Sequence, residues 1–141
     1  MFTLFTYAAI VFFADQASKR AVQAHLTGAV CWGRILQLRY VRHSDELYKR
    51  AGPRIAFVAI WVAALVSAAW LPNSGQWFQT RFAMASVGCA LGGAAGNLVD
   101  ILRQQYVTDF IDLGWWPVFN LADVAIVTGV LLAFLRWGAT P

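Results

Sequence analysis

The stretch that decides the fold is FAMASVGCALGGAAGNLV, residues 82–99, which carries no charged side chain. A run of this length comes close to the roughly 20 apolar residues that a helix needs to cross a bilayer. Gly88, Gly92 and Gly96 recur at every fourth position, so they share one helix face on which another backbone can approach closely. We predict a membrane-spanning helix over about 82–102, with the glycines forming a packing face.

Three further apolar runs predict helices over about 2–22, 55–71 and 117–137. Between the first two lies a less apolar region, about 26–53, in which alternating residues around 34–42 predict a short strand. At 141 residues the chain is expected to be a single domain, since a domain averages roughly 150 residues. The predicted fold class is an all-α integral membrane protein with four transmembrane helices and a small β-sheet extension between helices 1 and 2.

The composition excludes several classes of protein. Hydrophobic residues make up 60% of the chain and charged residues 13%, against roughly 25% charged in a typical globular domain, which excludes intrinsic disorder. Two cysteines are too few for a disulfide scaffold. The net charge is +4, but the positive charges punctuate apolar runs and form no basic domain. We therefore expect membrane lipids as partners, not nucleic acid.

Asp123 is the most informative single residue, because it lies inside the last apolar run. A carboxylate there costs roughly 2.5–3.5 kcal/mol on membrane-insertion scales and therefore indicates a functional site. Asn120 precedes it by three residues, on the same helix face. A short connection separates Asp123 from Asp109, so the helix ends that carry them can be adjacent. Two close carboxylates share a proton, as acid–base catalysis requires. The alternative is that either aspartate caps a helix or pairs with Arg103.

The remaining polar residues favour structural or supporting roles. Asn97 and Asp100 are three residues apart, where they would either orient the aspartates or end the helix among lipid headgroups. Asp15 and Lys19 have the four-residue spacing of a helical ion pair. His43 and the other histidine lack the spacing of metal ligands, and no phosphate-binding glycine loop is present, so we expect no metal or cofactor.

Four motifs together resemble bacterial lipoprotein signal peptidase, also called signal peptidase II. They are DQASK (15–19), GNLVD (96–100), YVTDF (106–110) and FNLAD (119–123), and they occur in the family's order. Each motif alone is weak, but the combination is specific and spans most of the chain.

The resemblance implies an aspartic endopeptidase that cleaves a diacylglyceryl-modified prolipoprotein just before its lipidated cysteine, without metal or cofactor. It implies Asp109 and Asp123 as the catalytic residues. It also implies supporting or substrate-binding roles, which we assign to Asn97, Asn120, Asp100, Asp15, Lys19 and His43. We expect a monomer.

Two departures from the family pattern indicate a divergent member. Where the family carries Asn-x-Gly-Ala-Ala-Phe, this chain has HSDELY (43–48), which replaces small residues with charged and bulky ones. The family also has Arg directly after the third-helix Asp, whereas this chain has Ile101. A non-catalytic or altered-specificity paralogue, which binds lipopeptides or a membrane partner, therefore stays open. A small transporter subunit would explain Asp123 but not the paired motifs.

Charge and resemblance disagree about orientation. Most Lys and Arg residues lie on the side of the first and third connections, which the positive-inside rule would place in the cytoplasm. The resemblance implies the bacterial cytoplasmic (inner) membrane, an active site at the outer face and cytoplasmic termini. We adopt this second orientation, because positive side chains of the first connection can meet lipid headgroups.

Overall fold

A computed structural model describes residues 1–25, 30–32, 36–42, 80–115 and 118–137. In chain order, the elements over these residues are α1 (Phe2–His25), β1 (Val30–Trp32), β2 (Leu36–Arg42), α2 (Arg81–Gln104), β3 (Thr108–Asp112) and α3 (Leu121–Trp137). The helix predicted over 55–71, His43 and the rest of the 43–48 stretch lie outside the described residues.

Helix α2 is the middle helix and packs against both α1 and α3. Gly88 and Gly92 lie against the backbone of α1, where a Cβ atom would meet carbonyl oxygens of Leu4 and Ala8. The packing face predicted from the glycine repeat is therefore confirmed. Gly93 lies against the carbonyl of Ala122 in α3, so a second glycine surface, which the repeat did not indicate, allows close approach on another side.

These contacts also fix the helix directions. Residues 4, 8 and 15 of α1 meet residues 88, 92 and 96 of α2 in increasing order, so α1 and α2 run parallel. Ala122 at the start of α3 lies against Gly93, and Gly129 further along α3 lies against Ser86 and Ala90. Helix α3 therefore runs antiparallel to α2. Helix α3 therefore begins at the level of Asp15 in α1 and Gly93 in α2, and the ends of α1 and α2 lie beyond its start.

The helix bounds differ from those predicted. Helix α1 continues past residue 22 to His25, and α2 covers Arg81–Gln104 in place of 82–102. The Thr80 hydroxyl caps α2 by accepting from the Ala83 N–H at 3.2 Å. Helix α3 begins at Leu121, four residues later than the predicted 117. The reason is that Phe119 exchanges backbone hydrogen bonds with Ile111, which holds it extended.

The three strands form one antiparallel sheet in the order β1-β2-β3. Val41 pairs with Asp109 and Leu38 with Ile111, and the register shifts between them. The predicted sheet was confined to the region between helices 1 and 2, whereas β3 follows α2. Asp109 therefore lies on a strand, not at a helix end as predicted. Burial alternates along this strand, with Thr108, Phe110 and Asp112 buried and the residues between them half-buried.

Polarity is inverted relative to a water-soluble fold. Of the helices described, α2 is the one that is long and apolar enough to cross a membrane, and α3 contains a shorter apolar section, Leu121–Ala133. Large apolar side chains such as Phe5, Phe13 and Leu135 are exposed. Charged and amide side chains lie inside, among them Asp15, Gln16, Lys19, Asn97, Asp100 and Asn120. Such an exterior is typical of contact with an apolar solvent.

Candidate active site

Asp109 and Asp123 are connected through one buried side chain, that of Asn120. The Asn120 amide nitrogen donates to Oδ1 of Asp109 at 2.7 Å, and its Oδ1 accepts from the backbone N–H of Asp123 at 3.0 Å. Asn120 is fully buried, whereas both aspartates are half-buried. Asn120 therefore holds the Asp109 carboxylate next to the start of α3, and both aspartates stay partly accessible.

Asn97 of α2 makes a second connection to the same pair. Its amide nitrogen donates to Oδ1 of Asp123 at 2.8 Å, and its Oδ1 accepts from the Asn120 amide at 3.1 Å. An amide can do this because it carries both a donor and an acceptor. Asp109, Asn120, Asn97 and Asp123 thus form one hydrogen-bonded chain, which we call the amide relay.

Asp123 also caps its own helix. Its Oδ2 accepts from the backbone N–H of Asn120 at 3.1 Å, while Oδ1 of Asn120 accepts from the N–H of Asp123. These reciprocal bonds have the form of a capping box at the start of α3. The capping role that the sequence left open is therefore present together with the relay, and the two roles use different oxygens of Asp123.

A charged cluster lies directly behind the relay. The Lys19 ammonium contacts Oδ2 of Asp15 at 2.8 Å and Oδ2 of Asp100 at 3.0 Å, which confirms the ion pair predicted within α1. It also donates to Oδ1 of Asn97 at 2.9 Å. Asp15, Lys19 and Asp100 are all buried. Asn97 and Asp100 therefore point into the protein interior and not toward lipid headgroups.

Two polar residues of this region escaped the sequence reasoning. Gln16 donates to Oδ1 of Asp100 at 3.1 Å and to the Gly96 carbonyl at 3.2 Å. Thr108 is buried, and its hydroxyl accepts from Gln23 at 2.8 Å and from Gln104 at 2.9 Å. Both residues lie within the quoted motifs. The three-residue spacing between Gln16 and Lys19 was a signal that could have identified Gln16, because it places these two side chains on one helix face.

A cavity of about 250 Å³ opens beside Asp123. It is lined by Phe119, Asp123, Val124, Val127 and Thr128. Mostly apolar walls with one carboxylate are typical of a site that binds an apolar group and fixes it with a few polar atoms. Over the residue ranges that the structure describes, no cluster of three or more His, Cys, Asp or Glu side chains could hold a metal ion.

Comparison with known proteins identifies the family. A family model described as "Signal peptidase (SPase) II" matches residues 7–137. The chain belongs to the signal peptidase II family. This membership makes it a protease, and identities of 33% and 35% to the relatives described next make it a divergent member.

Individual relatives agree with this membership. The lipoprotein signal peptidase of Rhodococcus jostii is 33% identical over 141 residues, which cover 92% of this chain and 69% of that protein. That of Moorella thermoacetica is 35% identical over 133 residues, covering 89% and 85%. A bacterial membrane enzyme solved by the in meso method at 1.9 Å resolution has the same fold, with a TM-score of 0.83 and 21% identity over 100% of this chain and 96% of that one. Family, fold and apolar helix together make this signal peptidase II a membrane protein.

Proposed function

We propose that this signal peptidase II is an aspartic endopeptidase that removes the signal peptide from diacylglyceryl-modified prolipoproteins. Asp109 and Asp123 are its catalytic residues. The observation that carries this proposal is the amide relay, in which two half-buried carboxylates from different elements receive N–H donors from two buried amides. Both of these carboxylates remain partly accessible, unlike Asp15 and Asp100, which lie buried around the Lys19 ammonium.

The chemistry follows from what two carboxylates at one site can do. In acid–base hydrolysis one carboxylate acts as the base and the other, in its protonated form, as the acid. The ionised carboxylate takes a proton from water, which attacks the scissile carbonyl carbon. The protonated carboxylate then donates its proton to the leaving amine as the C–N bond breaks. All atoms of this hydrolysis come from water, peptide and the two aspartates.

The substrate class follows from the surroundings of Asp123. Phe119, Val124 and Val127 line the cavity next to the carboxylate, and such walls suit the acyl chains or the apolar signal peptide of a prolipoprotein. The lipoprotein signal peptidase relatives support the same class of substrate.

We place the protein in the bacterial inner membrane with four spans. The parallel directions of α1 and α2 support a further crossing between them, as predicted over 55–71. The candidate site lies in the half of the bundle in which α1 and α2 end and α3 begins, and the start of α1 and the end of α3 lie in the other half. Termini in the cytoplasm therefore go with a site at the outer face.

The proposal is tested by cleavage of a purified lipidated precursor in vesicles or detergent. Asp109→Asn and Asp123→Asn are each expected to lose at least about 100-fold in rate, the scale of acid–base catalysis. Asp112→Asn is the matched control, because Asp112 lies on the same strand and its Oδ1, which an amide retains, accepts from the N–H of Gly114 at 2.8 Å. Cleavage at the same rate by all four proteins would refute the catalytic assignment.

The replaced motif at residues 43–48 favours a second candidate, a paralogue that binds lipopeptides or a membrane partner without turnover. The same proteins distinguish it from the peptidase. If the wild type captures lipopeptide without any cleavage, and if Asp109→Asn and Asp123→Asn capture it equally well, the protein binds its ligand without turnover.

A further inference from the structure

The Lys19 ammonium has a complete set of acceptors. An ammonium group carries three N–H donors and no acceptor. Around Nζ lie three oxygens, Oδ2 of Asp15 at 2.8 Å, Oδ1 of Asn97 at 2.9 Å and Oδ2 of Asp100 at 3.0 Å. Lys19 is 2% exposed, so this cation is satisfied by the protein and not by solvent.

Each of the three acceptor residues makes a further bond toward the aspartate pair. The Asn97 amide donates to Oδ1 of Asp123, and Oδ1 of Asp15 accepts from the N–H of Ala122 at 2.9 Å. Oδ2 of Asp100 accepts from the N–H of Thr108 at 3.2 Å. Ala122 directly precedes Asp123 in the chain, and Thr108 directly precedes Asp109. One cation is therefore connected to both aspartates by three short paths.

The path through Asn97 also carries a direction. Because Lys19 can only donate, it selects the amide orientation in which Oδ1 of Asn97 faces Nζ and the NH2 group faces Asp123. Oδ1 of Asn97 then accepts from the Asn120 amide, whose other bonds run to Asp109 and to the N–H of Asp123. The opposite orientation of Asn97 would set its carbonyl oxygen against the Asp123 carboxylate, which is repulsive.

We infer that Lys19 is a positioning residue of the aspartate pair, whose charge sets the polarity of the amide relay so that each catalytic carboxylate receives an N–H donor. The inference rests on the proposed function. It assigns Lys19 no contact with substrate or with the reacting atoms. Loss of Lys19 is therefore expected to lower kcat and to leave KM nearly unchanged.

The test must separate positioning from folding. Lys19→Met alone leaves two buried carboxylates without their cation, so it is combined with Asp15→Asn, which restores the net charge of the cluster and keeps an oxygen for the Ala122 N–H. The double variant still leaves the Asp100 carboxylate without its cation, so its melting temperature is measured first and kcat is compared only for folded protein. Its kcat for the lipidated precursor should fall roughly 10- to 100-fold, the loss of a charge-assisted hydrogen bond.

The control is Arg20→Met, which removes a cation from the next position of α1, where the side chain is exposed. It should match the wild type in kcat and KM. A folded double variant with wild-type kcat overturns the inference, as does a loss that appears only in KM.

If the double variant does not fold, the Lys19→Arg variant tests the inference. Arg keeps a charge that can only donate, so kcat within about tenfold of the wild type supports the inference, whereas a folded Lys19→Arg as inactive as Asp123→Asn overturns it.

Asp123→Asn is measured in the same assay, so that the two failures are distinguishable. If Asp123→Asn is inactive while the double variant is fully active, the Lys19 inference alone is wrong. If Asp123→Asn cleaves the precursor normally, the proposed function is wrong, and the inference about Lys19 is wrong with it.

Discussion

Asn120 combines two tasks, and two substitutions separate them. Its Oδ1 caps α3 by accepting from the N–H of Asp123, and its amide nitrogen donates to Asp109 at 2.7 Å. Asn120→Asp keeps a capping oxygen and replaces the donor by a third carboxylate. Asn120→Ala removes both functions. Both variants should therefore lose activity.

The magnitudes follow from these bonds. Replacing a capping Asn by Ala costs roughly 0.5–2 kcal/mol, whereas Asp caps about as well as Asn. A hydrogen bond to a charged group contributes roughly 1.5–3 kcal/mol, which corresponds to a rate loss of about 10- to 150-fold if the bond acts in the transition state. Asn120→Ala should therefore lower both the melting temperature and kcat. Asn120→Asp should lower kcat at least as much, and it also loses stability, because its new carboxylate is buried between Oδ1 of Asp109 and Oδ1 of Asn97.

The assay is steady-state cleavage of a lipidated precursor, with kcat and KM determined separately, together with thermal unfolding in the same detergent. Thermal unfolding of each variant shows whether it is folded, so that a loss of kcat is not mistaken for a loss of folded protein. An Asn120→Asp variant with kcat within about twofold of the wild type would refute the reasoning, because the amide donor to Asp109 would then contribute nothing to catalysis.

Two further predictions concern packing and orientation. Gly92→Leu places a side chain against the carbonyl of Ala8, so we expect overpacking to cost at least about 1–3 kcal/mol and to lower the melting temperature; an unchanged melting temperature would contradict the close approach of α1 and α2. A C-terminal fusion to a reporter that is active only in the cytoplasm should give signal, whereas activity of an export-dependent reporter would reverse the proposed orientation.

Apolar runs and fixed spacings made much of this fold predictable. The uncharged run at 82–99 predicted α2. The glycine repeat predicted a face on which another backbone approaches closely, and the structure shows that α1 packs there. The four-residue spacing predicted the contact between Asp15 and Lys19, because residues four apart on a helix are neighbours whatever packs around them. The short spacing also favoured proximity of Asp109 and Asp123, although the prediction that a helix end carries Asp109 was wrong.

The errors have a common physical cause. Residues 108–112 form a strand because β2, distant in the chain, supplies their hydrogen-bond partners, and no local pattern contains that partner. Helix α3 starts late for the same reason, since Phe119 bonds to Ile111. The roles of Gln16 and Thr108 likewise depend on atoms of α2, which meet them only after the helices pack.

The backbone hydrogen bonds between Ile111 and Phe119 join the two ends of the connection from β3 to α3. Phe119 accepts from Ile111 at 2.8 Å and donates to it at 3.0 Å, so both ends of the segment 112–118 are fixed to each other. Asp109 precedes Ile111 in the chain, and Asp123 follows Phe119. An epitope or label inserted after Gly114 is therefore expected to leave the spacing of the two carboxylates unchanged.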